Sequence, residues 1–320
     1  MDLINCLENN CFGVPDSKID TLLSTLYFFN EKVIKIYKHK KAFYGDLSDS
    51  DFRRDFYIED FTWNNTLSPD LYLRLVGVVI ENNIPVEVSH GSATDFYIEM
   101  KKIDSSKNIT NLLDKNKITS EDLESITSYM IKKIRVLTSE KKEKMKDLFL
   151  GNWKAILTQD VEDLRGWMYM ADTYIFKGDV DEIIDFLKTS INNDEYISSF
   201  KSIDLAVSID NQGDNILMID NKPLFIDIMP PKYNWRVCDE FFNISRIAVD
   251  AYVLGDEKKY ESVYEVFNNF GIEPPERTRI IYEIRSALIL WPYRHILGQN
   301  EMAEKYKKFT LDKINILKSL

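Results

Sequence analysis

Long apolar runs are missing from this chain. No segment approaches the ~20 apolar residues that span a bilayer, and the opening residues MDLINCLENNCFGVPDSK lack a basic stretch followed by an apolar one. A cytoplasmic protein without membrane contact is expected. Positive charge is also scarce: 41 Lys and Arg face 52 Asp and Glu, a formal net charge of -11. Phosphate backbones and anionic lipid reward clustered cations, so this balance excludes a general nucleic-acid or anionic-membrane binder. Cysteine is limited to Cys6, Cys11 and Cys238, an odd number without metal spacing, so neither a disulfide framework, a Cys6–Cys11 redox pair nor a zinc site is expected. His39, His90 and His295 are far apart and match no metal pattern. With 11 Gly and 9 Pro there is no Pro/Gly-rich linker, low-complexity tract or internal repeat.

What is present is an ordinary folding composition, 44% hydrophobic and 29% charged over 320 residues, long enough for two lobes that each bury a core. TLLSTLYFFNEKVIKIYK, from Thr21 to Lys38, reads as a hairpin turning at Asn30-Glu31. SDSDFRRDFYIEDFTWNNTLSPD opens on capping residues, repeats apolar groups at helical spacing and stops near Ser68-Pro69. LYLRLVGVVI, IPVEVSH and TDFYIEMKKI are three further strands. Beyond them the pattern turns helical, over Ser120 to Leu148, Val161 to Phe176, Asp179 to Asn192 and from Val237 onward, interrupted by hairpin material around residue 215. The fold class expected is therefore α+β, with a small β-rich lobe over 1-102 and a larger helical lobe over 103-320.

The segment SIDNQGDNILMIDNKPLFIDIMPP, Ser208 to Pro231, places Asp210 and Asn215 in a polar turn and Asp227 at the end of an apolar strand. Phosphoryl transfer needs a carboxylate to orient and deprotonate the attacking hydroxyl, and oxygen ligands for magnesium. Protein kinases supply these as an Asp, an Asn five positions later and a second Asp after a strand pair, the order and spacing found here. In KVIKIYK, Lys35 follows two β-branched residues, as the phosphate-pairing lysine does in the kinase strand motif. Glu59 and Asp60, on the helix that follows, could each hold it. Lys38, Lys40 and Lys41 compete with Lys35 by proximity, and turn chemistry alone accounts for Asp and Asn in a loop. Gly213 and Asp214 hint at a calcium loop, but the glycine and the terminal glutamate are misplaced for one. SEKKEKMKD is a solvated helix face, and RIIYEIRSALILWPYRHIL is helix core.

With VIKIYKHK, DLSDSDFRRDFYIEDFTWNNTLSPDLYL and YIEMKKIDSSKNITNLLDKNKITSEDL, the sequence resembles the bacterial aminoglycoside-phosphotransferase-like kinases, which have a protein-kinase-like fold. The resemblance runs without a gap from Val33 to Leu73, covers most of Thr21 to Val249 and weakens between Leu148 and Ser202. It implies a two-lobed kinase using ATP and Mg2+, whose acceptor is a hydroxyl of a small molecule or, second, of a protein. It makes Lys35 the phosphate-pairing lysine, Asp60 its partner with Glu59 as fallback, and Asp210 the catalytic carboxylate. Asn215 and Asp227 become the magnesium ligands, Met100, Lys101, Lys102 and Ile103 the hinge facing adenine, and Arg236 and Asp239 a brace for the loop. The 1-102 lobe then binds nucleotide, and 103-320 carries catalysis and the acceptor. Three departures stand out: Ser208-Ile209 replaces His-Gly before Asp210, DIMPP follows Asp227, and no glycine lies between Thr21 and Lys35. They frame the alternative, a pseudokinase serving as a nucleotide-sensing or protein-binding module.

Overall fold

The computed structural model describes residues 3–21, 23–42, 45–170 and 177–320. The chain divides into two compact units: Met1–Ser106 with Leu224–Tyr233, and Lys107–Pro223 with Asn234–Leu320.

The first unit opens with α1 (Leu3–Glu8), followed by β1 (Ser17–Asp20), β2 (Ser24–Phe28), β3 (Lys32–Tyr37) and the short strands β4 (Lys41–Ala42) and β5 (Gly45–Asp46). Next come α2 (Ser50–Leu67), β6 (Tyr72–Glu81), β7 (Ile84–Val88) and β8 (Asp95–Lys101). Six strands form one antiparallel sheet in the order β1-β2-β3-β8-β6-β7. The turn between β6 and β7 is Asn82-Asn83, both at positive φ, which matches the twist a tight hairpin needs. Asp49 caps α2 by accepting from the Phe52 N–H at 2.8 Å.

Alternation along β3 decides what each sheet face does. Ile34 and Ile36 join Leu3 and Leu7 of α1 in a core with Tyr27, Val76, Val78 and Tyr97. Tyr37 points the other way, edge-on to Phe56 and Tyr57 of α2. Lys35 shares that second face and is thereby carried beneath α2. One expectation fails here: Cys6 and Cys11 form a disulfide, because the turn after α1 folds back and brings their Cα atoms to 5.4 Å, within bridging range. Cys238 is a free, buried thiol.

The second unit contains α3 (Ile109–Asp114), α4 (Ser120–Lys141), α5 (Lys146–Phe149), α6 (Trp153–Met170), α7 (Lys177–Asn192) and α8 (Glu195–Ser199). Then follow β9 (Leu205–Val207), β10 (Ile216–Ile219), β11 (Lys222–Phe225, where the chain passes into the first unit) and β12 (Val237–Asp239). The helices α9 (Phe242–Asp250), α10 (Glu257–Asn269), α11 (Glu276–Ile296) and α12 (Asn300–Ser319) complete it, with a π-helical turn at Ala251–Gly255 after α9. The helix expected over Ser120–Leu148 is broken at Lys141, and helix resumes at Phe242 rather than Val237, because Val237–Asp239 pairs with Leu205–Val207. The Val161–Phe176 helix begins earlier, at Trp153, and its last six positions lie outside the described residues. Among the described residues, no helix is long and apolar enough to cross a membrane.

Candidate functional site

In the first unit the site grows from one buried cation. Lys35 is 2% exposed, with its Nζ 3.2 Å from Asp60 Oδ2 and 2.6 Å from Asp227 Oδ1. The Tyr37 ring lies 4.8 Å away. Burial works against the ammonium charge, but the carboxylates of Asp227 and Asp60 outweigh it and hold Lys35 above its ordinary pKa. Asp60 is fixed in turn, its Oδ1 accepting from Asn64 Nδ2 at 2.9 Å. The neighbouring Glu59 instead accepts from the Trp63 indole at 3.2 Å. Adjacent helix residues point about 100° apart, so only one of the two acids can lie under β3.

Asp227 reaches Lys35 because three side chains grip the backbone around it. Ser68 Oγ accepts from the Phe225 N–H at 2.6 Å, the Tyr72 hydroxyl from the Asp227 N–H at 3.0 Å, and Asn64 Oδ1 from the Ile228 N–H at 3.1 Å. Asp227 sits at φ 51°, a left-handed conformation that a non-glycine residue keeps only when its surroundings hold it there. The strand end that carries this carboxylate is thus held by Asn64 of α2, by Ser68 at its C-cap and by Tyr72 of β6. Its side chain remains 45% exposed beside a buried lysine. At the positions expected to face adenine, Met100 is buried, the Lys101 N–H donates to Leu71 O and the Lys102 N–H to Glu31 O. Lys102 Nζ lies 3.1 Å from Asp16.

The second unit holds the polar loop. Asn215, in a 3₁₀ turn over Gly213–Asn215, donates its Nδ2 to the Asp210 backbone carbonyl at 2.9 Å, closing the loop on itself. Arg246 of α9 donates to Asp210 Oδ1 in an ion pair. Burial lowers the Arg246 pKa, and the Asp210 carboxylate opposes it. Asn243, one turn earlier on α9, accepts from the Ile209 N–H at 2.9 Å and donates to Val207 O at 2.8 Å. Arg246 and Asn243 thus hold the loop on which Ser208-Ile209 stand. Neither was singled out from the sequence. The signal was Asn243, Arg246 and Asp250 at i, i+3 and i+7 in FNISRIAVD, a polar stripe on a helix whose every residue is buried.

Arg236 contributes its carbonyl to the Ser208 N–H at 2.9 Å, while Asp239 accepts from the Phe241 N–H at 3.0 Å. Burial pushes the fully enclosed Asp239 carboxyl up to about 7. The folded state therefore keeps a proton there that the unfolded chain, titrating near 4, has lost. That stability is complete below the unfolded value and drains away as pH rises through about 7, by at most about 1.4 kcal/mol per pH unit. Asp239→Asn should gain on the parent in urea denaturation between pH 5 and 8; parallel stability curves would refute the assignment.

No protein-family model matches the chain, and no curated protein matches its sequence. Solved structures do. A thermostable mutant of the aminoglycoside phosphotransferase APH(4)-Ia is similar over 97% of this chain and 98% of its own, at 10% identity and a TM-score of 0.56. The GDP and kanamycin complex of APH(2″)-IIia covers 97% of each chain at 9% identity and 0.53. Choline kinase from Cryptosporidium parvum Iowa II covers 100% of this chain and 96% of its own at 12% identity and 0.53. The chain has the α+β protein-kinase-like fold that these phosphotransferases share.

Proposed function

We propose that the protein is a phosphotransferase that moves the γ-phosphate of ATP to a hydroxyl of a small molecule, with Mg2+ as its metal. The observation that carries this reading is the buried Lys35 shared by Asp60 and Asp227. Burying an ammonium is expensive, and two carboxylates on one cation, the second half exposed, exceed what packing alone requires. In this reading the unit around Lys35 takes the nucleotide, with Met100, Lys101, Lys102 and Ile103 along adenine and Lys35 on the phosphates. The GDP in a neighbour's complex leaves a guanosine donor as a second choice. The reading also includes a cytoplasmic setting.

Taken one by one, the side chains of Asn215 and Asp227 have the hard oxygen chemistry that magnesium prefers: an amide Oδ1 on Asn215, whose nitrogen donates to the Asp210 carbonyl, and a carboxylate on Asp227. Two protein oxygens suffice for an ion that otherwise keeps water and phosphate ligands. When bound, magnesium neutralises charge on the donor phosphates. Asp210 accepts the proton of the attacking hydroxyl and orients its oxygen; Arg246 holds that carboxylate in place. The aminoglycoside and choline kinases among the structural neighbours favour a small-molecule acceptor over a protein.

Lysine substitution tests the reading. Lys35→Met should weaken ATP binding by at least about tenfold, since a buried charge-assisted contact to phosphate is lost. Asp60→Asn should weaken it less, because Asp227 remains. Isothermal titration that shows Lys35→Met silent and Lys38→Met damaging would move the nucleotide site off β3.

A further inference from the structure

The middle of the transfer loop is anchored from the carboxy-terminal helices. The Gly213 N–H donates to Asp250 Oδ2 at 2.7 Å, and the other oxygen, Oδ1, accepts from the Tyr306 hydroxyl of α12 at 2.5 Å. Beside it, the fully buried Arg294 of α11 donates to Asp214 Oδ2 at 2.7 Å and to Thr110 Oγ1 at 3.2 Å. Gly213 is pressed so closely that an added Cβ would stand 2.7 Å from Thr110 Oγ1 and 3.0 Å from Asp250 Oδ2. Two residues between Asp210 and Asn215 are thus held by groups 37 and 80 positions away in the chain.

The backbone around Asp250 is itself unusual. Immediately after this residue, α9 widens into the π-helical turn Ala251–Gly255, a conformation found mostly as short insertions at functional sites. Asp250 and Tyr306 are both completely buried. A buried carboxylate that accepts from two donors is a rigid connector, because losing either donor leaves an unmet acceptor in a dry interior.

We infer that Tyr306 is a positioning residue for phosphoryl transfer, acting through Asp250 and Gly213 to set the spacing of Asp210 and Asn215. The inference rests on the phosphotransferase reading and extends its machinery to α12. Removing one hydroxyl at the carboxy-terminal helix should then change turnover at a loop it does not touch. Nucleotide affinity should fall less than turnover, because Lys35 and the groups proposed to face adenine belong to the first unit and, of the proposed nucleotide and metal groups, Asn215 alone lies in the loop. A purely structural Tyr306 would lower the melting temperature and nothing else.

The test compares full-length Tyr306→Phe, which keeps the ring in the core, with Phe309→Leu, which disturbs the same helix but leaves the hydroxyl. Three quantities are read: hydrogen exchange of the Gly213 amide, ATP affinity, and release of ADP as the terminal phosphate passes to pooled hydroxyl acceptors. Tyr306→Phe should speed Gly213 exchange and lower turnover, each on the order of tenfold, with ATP affinity changed by less. Phe309→Leu should lose stability while keeping Gly213 protection and turnover. Unchanged Gly213 exchange in Tyr306→Phe overturns the inference whatever the activity. Faster exchange with parental turnover also overturns it, while leaving the phosphotransferase reading intact. If the parent neither binds nor turns over ATP, that reading fails, and this inference with it, even where the exchange result shows the Tyr306–Asp250–Gly213 connection to be real.

Discussion

Asp210→Asn is expected to lower phosphoryl transfer by about 10²–10⁴-fold, the usual loss when a positioned general base is removed. The substitution keeps an oxygen where Arg246 donates and leaves the backbone carbonyl that Asn215 uses, so the loop should keep its shape. ATP affinity should stay near the parent value, since Asp210 meets the acceptor hydroxyl and not the donor. A drop in rate with unchanged affinity separates a base from a structural loop residue. Single-turnover transfer at the parental rate in Asp210→Asn would remove Asp210 from the mechanism.

The second large effect concerns the metal. ATP should stabilise the parent against heat only when magnesium is present, by about 2.7 kcal/mol at 100 times the dissociation constant. For a chain of 320 residues that is a shift of roughly 4 °C. Asp227→Ala should abolish the magnesium-dependent increment. It should also lower the melting temperature without ligand, because Lys35 is left with Asp60 alone and the backbone at φ 51° loses its side-chain anchor. The comparison is therefore the increment with and without magnesium in each protein, not the absolute melting temperatures. An undiminished increment in Asp227→Ala would place the metal elsewhere.

Much of the first unit was legible because its elements carry strong periodicity. α2 repeats apolar groups at helical spacing, and β6, β7 and β8 are bounded by turn residues such as Asn82-Asn83. The choice between Glu59 and Asp60 was also within reach: Phe56, Tyr57, Asp60, Trp63, Asn64 and Leu67 form one buried helical face that excludes Glu59. α1 and β1 went unread for physical reasons. A six-residue helix is too short to show a period, and Ser17–Asp20 is exposed at every position, so it has no alternation to detect. The Cys6–Cys11 bridge depends on the turn after α1, which neither spacing nor composition specifies.

In the loop, motif spacing made Asp210, Asn215 and Asp227 candidates, but did not show what holds them. Their supports come from distant stretches whose polar residues look incidental: Asn64, Ser68 and Tyr72 for the Asp227 segment, Asn243, Arg246 and Asp250 for the Asp210 loop. Such groups sit among apolar residues of a helix, at a helix end or at the start of a strand, and their role shows only when the contact appears. Arg294 is the extreme case, a fully buried guanidinium inside the stretch taken from the sequence as simple helix core.

The most direct measurement is the fate of the terminal phosphate of ATP when purified protein is incubated with magnesium and a pool of hydroxyl-bearing metabolites. The account predicts magnesium-dependent transfer of that phosphate to a small molecule in the pool, lost in both Asp210→Asn and Lys35→Met. Magnesium-dependent ATP binding with the terminal phosphate left intact would contradict it and make the protein a nucleotide-binding module on a kinase-like fold.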